Sequence, residues 1–159
     1  MVQGLPGGGA DEEGAEALIA VDANLLVYAF DGGSVRHREA LDILRRLAEG
    51  PRPWALPWPS ATEFVSAVTA PDYPRPHSVA AALGFLRLLL TSPSLRCLRP
   101  TEDTMAVWRD VLEDSAVRGR RVHNAHIFAL CLEHGVRELL TADKGFRRFR
   151  GLKVRDPFR

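Results

Sequence analysis

Hydrophobic positions along the chain follow two rhythms in turn, one of strand length and one with a helical period. ALIAV at 17–21 is an unbroken apolar run, the pattern of a strand buried on both faces of a parallel sheet. A helix is predicted over 36–49, stopped by Gly50 with Pro51 beyond it. WALPWP at 54–59 reads as a short strand, and its prolines favour a strand end or a sheet edge. SATEFVSAV then sets Ala61, Phe64, Val65 and Val68 at i, i+3, i+4 and i+7, on one face of a helix. PDYPRPHS at 71–78 interrupts the pattern as a turn. Helices over 78–91 and 101–117 flank a strand at 95–98, and a further helix begins near His123 and stops at Gly135. RELLTAD supplies a short strand ending near Asp143, and LKV at 152–154 a final one. Short buried strands alternating with helices predict an α/β layered fold, and no internal repeat is visible.

The 159 residues suffice for one domain with a substantial core, and 46% hydrophobic with 26% charged residues is ordinary for a soluble globular chain. The net charge of +1 conceals a division. Residues 1–17 contain no Lys or Arg, several glycines and the acids Asp11, Glu12, Glu13 and Glu16, which leaves the remainder with a net charge of +5. A disordered acidic, Gly-rich tail over 1–17 and a single domain over 18–159 are expected. Basic residues gather at Arg118, Arg120 and Arg121, and again at Lys144, Arg147, Arg148 and Arg150; each cluster reads equally as a solvated surface or as a contact for a polyanion. Cys97 and Cys131 form no CxxC pair, as expected of reduced thiols in a cytoplasmic protein. No secretory leader is apparent, and LGFLRLLL at 83–90 is too short to span a bilayer, so no membrane association is expected.

Candidate chemistry lies where strands end and helices begin. In an open parallel sheet, sites form beyond the carboxyl ends of strands where strand order reverses. Asp22 follows the first strand, Asp143 follows a later one, and Glu63 and Asn124 fall at the starts of helices, so four oxygen-bearing side chains from distant segments can converge. Clustered carboxylates are electrostatically costly unless cations neutralise them, and hard divalent ions such as Mg²⁺ or Mn²⁺ prefer oxygen ligands. Phosphodiester hydrolysis suits that arrangement. Each residue also has a plain structural alternative. Ser60 and Glu63 fit the S-x-x-E capping box, Asp22 and Asp143 are capping types, and Asn124 is a favoured N-cap residue. His123 and His126 lack the further ligands of a zinc site, and Phe128, Cys131 and Leu132 read as core packing, as do Trp54 and Trp58.

Four segments together resemble a known family: VDANLLVYAFD at 21–31, PWPSATEFVSAVT at 57–69, RGRRVHNAHIFALCLEHGV at 118–136 and LLTADKGFRRFRGLKVRDPF at 139–158. In this order and spacing they are similar to the PIN-domain ribonucleases, specifically the VapC-type toxins of bacterial toxin–antitoxin pairs. The resemblance spans residues 18–158 and implies a three-layer α/β/α sandwich around a mostly parallel sheet, with an acidic divalent-metal site using Mg²⁺ or Mn²⁺. On these matches Asp22, Glu63 and Asp143 correspond to the family's first, second and last acids, and Asn124 stands where the family usually has a third Asp. Asn24 and Thr141 match polar positions that support the site.

The function expected from this resemblance is a metal-dependent endoribonuclease toxin acting on RNA, held by a cognate antitoxin and forming a homodimer. Asn124 keeps a carbonyl oxygen but removes a full negative charge, so attenuated catalysis is expected. Asp114 and Glu133 are poorly placed to compensate. The rival reading is a catalytically inactive protein of the same fold that binds RNA or antitoxin. A phosphatase using Asp22 as nucleophile is a weaker rival, because Asn24 stands where D-x-D needs a second acid.

Overall fold

A computed structural model of the protein describes residues 16–159. Five strands, β1 (Ile19–Val21), β2 (Trp54–Pro57), β3 (Leu95–Leu98), β4 (Glu138–Leu140) and β5 (Lys153–Arg155), form one sheet in the order β3-β2-β1-β4-β5. Every neighbouring pair is parallel. The helices are α1 (Ala23–Phe30), α2 (His37–Glu49), α3 (Trp58–Thr69), α4 (Val79–Leu89), α5 (Thr104–Ser115) and α6 (Arg121–Glu133), with a 3₁₀ turn over Lys144–Arg148.

The unbroken apolar character of the inner strands follows from their having helices on both faces. Val21 of β1, Trp54 and Leu56 of β2, and Leu140 of β4 enter a core shared with α1, α2, α3 and α4. Ala20, Ala55 and Leu139, the alternate residues, enter a second core with α5, α6 and the 3₁₀ turn. The result is the three-layer α/β/α sandwich expected, with a sheet that is wholly parallel where a mostly parallel one was anticipated. From β1 the chain steps outward through β2 to β3, then recrosses by α5 and α6 to lay β4 on the other side of β1. Strand order therefore reverses between β1 and β4, where Val21 pairs with Leu140.

Helix α1 was not anticipated. Its residues ANLLVYAF bury Ala23, Leu25, Leu26 and Ala29, and a helix this short and apolar carries little periodic signal. Its neighbours α2 and α3, rather than solvent, take up much of its surface. Strand β2 lies inside the sheet, with Pro57 as its last residue and Pro59 in the first turn of α3, where a missing N–H breaks no helical bond. Gly135, in the left-handed region at φ 72°, ends α6 as expected. Both cysteines are free, and burial pushes the Cys131 thiol well above its ordinary range. The tail expectation falls on residues outside those described, apart from exposed Glu16 and Ala17. Among the described residues no helix is long and apolar enough to cross a membrane.

Phe64 and Phe128 are both fully buried, one in each core. Substituting either by Ala is expected to lower unfolding stability by about 3–5 kcal/mol. Urea denaturation of the two variants checks this, and a loss confined to one of them would contradict the two-core architecture.

Candidate active site

The ladder between β1 and β4 continues one residue past the strands: the Asp22 amide donates to the Leu140 carbonyl at 3.0 Å. The backbone then turns into α1, which leaves the Asp22 carboxylate only 4% exposed at the point of strand reversal. Three side chains donate to it. Thr141 Oγ1 reaches Oδ2 at 2.8 Å, Asn24 Nδ2 reaches the same oxygen at 3.1 Å, and Ser60 Oγ reaches Oδ1 at 3.2 Å. Asn24 also donates to Thr141 Oγ1 at 3.0 Å and accepts from the Ala142 amide at 3.1 Å. Thr141 Oγ1 further accepts from the Asp143 amide at 3.0 Å. The single Thr141 proton thus goes to Asp22, while its oxygen receives Asn24 and Asp143. Burial nevertheless raises the Asp22 pKa, against the lowering effect of Thr141, the Ala23 amide and Ser60, and the nearby Asp143 charge raises it further. Oδ2 takes two of these donors and Oδ1 one, so Oδ1 keeps lone-pair capacity for a further partner.

Glu63 lies in the second turn of α3, because that helix begins at Trp58. Ser60 is therefore inside the helix, where its hydroxyl serves Asp22, and the capping-box reading of Ser60 and Glu63 is incorrect. Asn124 is likewise the fourth residue of α6 rather than its N-cap. Its Nδ2 donates to Asp143 Oδ2 at 2.9 Å. Asp143 does cap, accepting from the Gly145 amide at 2.7 Å to start the 3₁₀ turn. Gly145 suits that close approach, since a Cβ there would stand 3.0 Å from Asp143 Oδ1 and 3.1 Å from Asn124 Nδ2.

Glu63 makes no side-chain hydrogen bond within this network; charge couples it to the other acids. Its carboxyl is pushed up to about 6, first by desolvation and then by the charges of Asp22 and Asp143. No basic side chain contributes to that balance. An all-oxygen donor set with uncompensated negative charge suits a hard divalent cation and lacks the nitrogen and sulfur ligands that zinc favours. Among the described residues, however, no three His, Cys, Asp or Glu side chains close into a metal-ligand group. The position that would extend the acidic set holds an amide, and that amide donates to Asp143. His123 and His126 form no ligand group either, and His126 stacks on Trp108 with ring centroids 5.1 Å apart. Glu133 is occupied by the hydroxyls of Thr101 and Thr104 at the far end of α6, and Asp114 lies exposed on α5.

Basic residues flank the acids on two sides. Arg118, Arg120 and Arg121 lead into α6, and Lys144, Arg147, Arg148 and Arg150 surround the 3₁₀ turn; all are exposed. Arg120 lines a cleft of about 720 Å³ together with Trp58, Glu63, His123 and Asn124. Lys144 and Arg147 line a small recess with Thr141, Asp143 and Asp156. The two tryptophans read alike in the sequence take different positions. Trp54 is fully buried, whereas Trp58 is 40% exposed on the wall of the larger cleft, which corrects its reading as a packing residue. The role of Ser60 was also missed, and its placement just after the strand adjoining β1 was the available signal.

The PIN domain family matches residues 19–152 of the chain. Ribonuclease VapC48 of Mycobacterium tuberculosis is 30% identical over 138 residues, covering 86% of this chain and 95% of that protein. Ribonuclease VapC43 of the same species is 33% identical over 141 residues, covering 88% and 95%. Among solved structures, the Mycobacterium tuberculosis VapC20 toxin, described as cleaving the sarcin–ricin loop, superposes with a TM-score of 0.61 at 20% identity over 85% of this chain and 98% of that one. VapBC2 from Rickettsia felis, bound to a promoter DNA fragment, gives 0.61 at 15% identity over 87% and 97%. The fold, the family match and two relatives aligned over nearly their full length agree: the chain belongs to the PIN-domain family, among the VapC-type ribonucleases.

Proposed function

We propose that residues 18–159 act as one endoribonuclease domain, a toxin of the VapC type, and that Asp22, Glu63 and Asp143 hold a divalent cation, Mg²⁺ or Mn²⁺, with Asn124 contributing a neutral oxygen or a hydrogen bond. The observation that carries this reading is the set of mutually repelling carboxylates at the strand reversal, with Glu63 pushed up to about 6. A bound divalent ion would relieve that repulsion, activate water and stabilise the departing oxygen of a phosphodiester. The chain's own groups do the rest. Thr141, Asn24 and Ser60 hold the Asp22 carboxylate in one orientation, and Gly145 and Asn124 do the same for Asp143. The exposed arginines and lysines on either side hold RNA phosphates next to a pocket that would otherwise repel them, contributing affinity without base specificity.

Asn124 lowers the negative charge available to the ion, so the activity is attenuated relative to a site with a fourth acid. The same residue favours a second reading, a catalytically inactive protein that retains RNA or antitoxin binding. Solved neighbours include VapBC antitoxin complexes, among them DNA-bound VapBC from Salmonella typhimurium, which supports a cognate antitoxin as partner of this chain; a cytoplasmic location is proposed from the family resemblance. A homodimer is proposed from the family resemblance.

Asn124→Asp is expected to raise both Mn²⁺ affinity and metal-dependent RNA cleavage by about tenfold or more. Asp22→Asn should abolish both. Calorimetric Mn²⁺ titration and cleavage assays on antitoxin-free protein read the outcome. If Asn124→Asp changes neither quantity and Asp22→Asn is silent, the metal-site assignment is wrong. If RNA binds and neither the parent nor Asn124→Asp cleaves it, the inactive reading holds.

Desolvation of Glu63, reinforced by the charges of Asp22 and Asp143, also has a sign in stability. Its folded pKa lies above the ordinary 4.5, so its contribution to stability is complete below 4.5 and is lost as pH rises through about 6. In chelator, Glu63→Gln is therefore expected to melt at a higher temperature than the parent at neutral pH, with the difference vanishing in acid. Added Mn²⁺ should raise the parent's Tm more than the variant's. Equal pH profiles for the two proteins would contradict the raised Glu63 pKa.

A further inference from the structure

Trp58 differs from the other exposed large hydrophobic residues among the described ones in lining the same cleft as Glu63 and Asn124. It is the first residue of α3, preceded by Pro57 and followed by Pro59, whose rings fix the backbone on both sides. Glu63 is five positions further along the helix, about 7.5 Å of rise. The Arg99 guanidinium lies 5.2 Å from the centre of the indole ring. The backbone of Arg99 is itself anchored, because His134 Nε2 donates to its carbonyl at 2.8 Å. An indole left open to water beside an arginine costs hydrophobic stabilisation that burial elsewhere would supply, as it does for Trp54. The surrounding surface adds the apolar walls of Pro100 and Ile127 and the positive charge of Arg120.

We infer that Trp58, with Arg99 held against its indole from outside the cleft, forms a stacking platform for an unpaired nucleobase of the RNA substrate beside the acidic pocket. The inference rests on the ribonuclease reading above and names what that reading leaves open, the part of the substrate recognised as a base. A cleft of about 720 Å³ lies within the range that encloses drug-sized ligands and has room for a nucleoside. Aromatic rings and guanidinium planes are the usual partners of splayed-out bases in single-stranded RNA. Arg120 supplies the positive charge that a neighbouring phosphate requires. Bases locked within a duplex cannot reach the platform, so it selects loops and unpaired segments over continuous helix.

The test uses the full chain in EDTA, which prevents cleavage, and a short 5′-fluorescein single-stranded RNA, with a blunt RNA duplex as control. Trp58→Ala is expected to weaken single-strand binding at least about fivefold, as loss of one stacked base does, with little change toward the duplex. Trp58→Phe should keep the affinity within about threefold while removing most of the RNA-induced quenching of tryptophan fluorescence expected of the parent. The salt dependence of binding should not change, since no phosphate contact is removed. Quenching that persists undiminished in Trp58→Phe, equal loss toward duplex and single strand, or unaltered affinity in both variants each overturns the platform. So does a shift in oligomeric state by light scattering at unchanged RNA affinity, which would make Trp58 an interface residue. In those cases the parent still binds RNA and the ribonuclease reading stands. If the parent neither binds nor cleaves RNA, that reading falls and the platform falls with it.

Discussion

One hydrogen bond across the middle of the sheet organises the site: the Thr141 hydroxyl, at the end of β4, donates to the Asp22 carboxylate, at the end of β1. Both residues are buried, and they stand at the point where strand order reverses. A carboxylate in that position is costly unless its oxygens are bonded. The surrounding side chains meet that demand in sequence, with Ser60 arriving from α3 and Asn24 from α1. Thr141 simultaneously receives the Asp143 amide, so satisfying one buried acid also sets the direction in which the second leaves the strand. Local backbone geometry, the tertiary position of α3 and the orientation of Asp143 are thereby tied to one charged group.

The electrostatics are organised as an acidic centre between basic flanks. Glu63 of α3 is pushed up first by desolvation and then by the charges of Asp22 and Asp143 at the strand ends. Around them the exposed arginines and lysines of the α6 start and the 3₁₀ turn present the opposite sign. A polyanion is attracted to the rim and repelled from the centre, a conflict that the cation proposed for the centre would resolve. In this chain the centre is one charge weaker than a four-acid arrangement, because Asn124 donates a proton to Asp143 where an acid would add to its field. A weakened site would for this reason be compatible with a retained fold. The amide preserves the tie between α6 and the 3₁₀ turn while withdrawing charge.

Much of the architecture was legible because buried parallel strands have no polar face and so appear as short apolar runs. The same property hid α1, whose apolar residues are enclosed by β1, α2 and α3 and show little helical period. Trp54 and Trp58 lie four residues apart among prolines, and local pattern did not separate them; only the end of β2 and the start of α3 at residue 58 send one inward and the other to the cleft. Ser60 was misread because S-x-x-E matches a capping box, whereas the helix already begins two residues earlier. Asn24 and Thr141 are 117 residues apart, and their pairing leaves no local trace in the chain. That part of the site was reached through family resemblance, with convergence at strand ends as its independent physical argument.

Because β1 is the central strand, flanked by β2 and β4, Asp22 and the buried Ser60 and Thr141 that hold it sit at the most enclosed part of the sheet. Regions of this kind exchange their amides on the timescale of global unfolding, whereas loops and edges open far more often. A site built there cannot be silenced by local melting of a lid or a frayed terminus without losing the whole fold. Control over its activity has to come from outside, by something that occupies the cleft or masks the charged rim. A rigid centre of this type remains intact for as long as it is covered and is ready once uncovered.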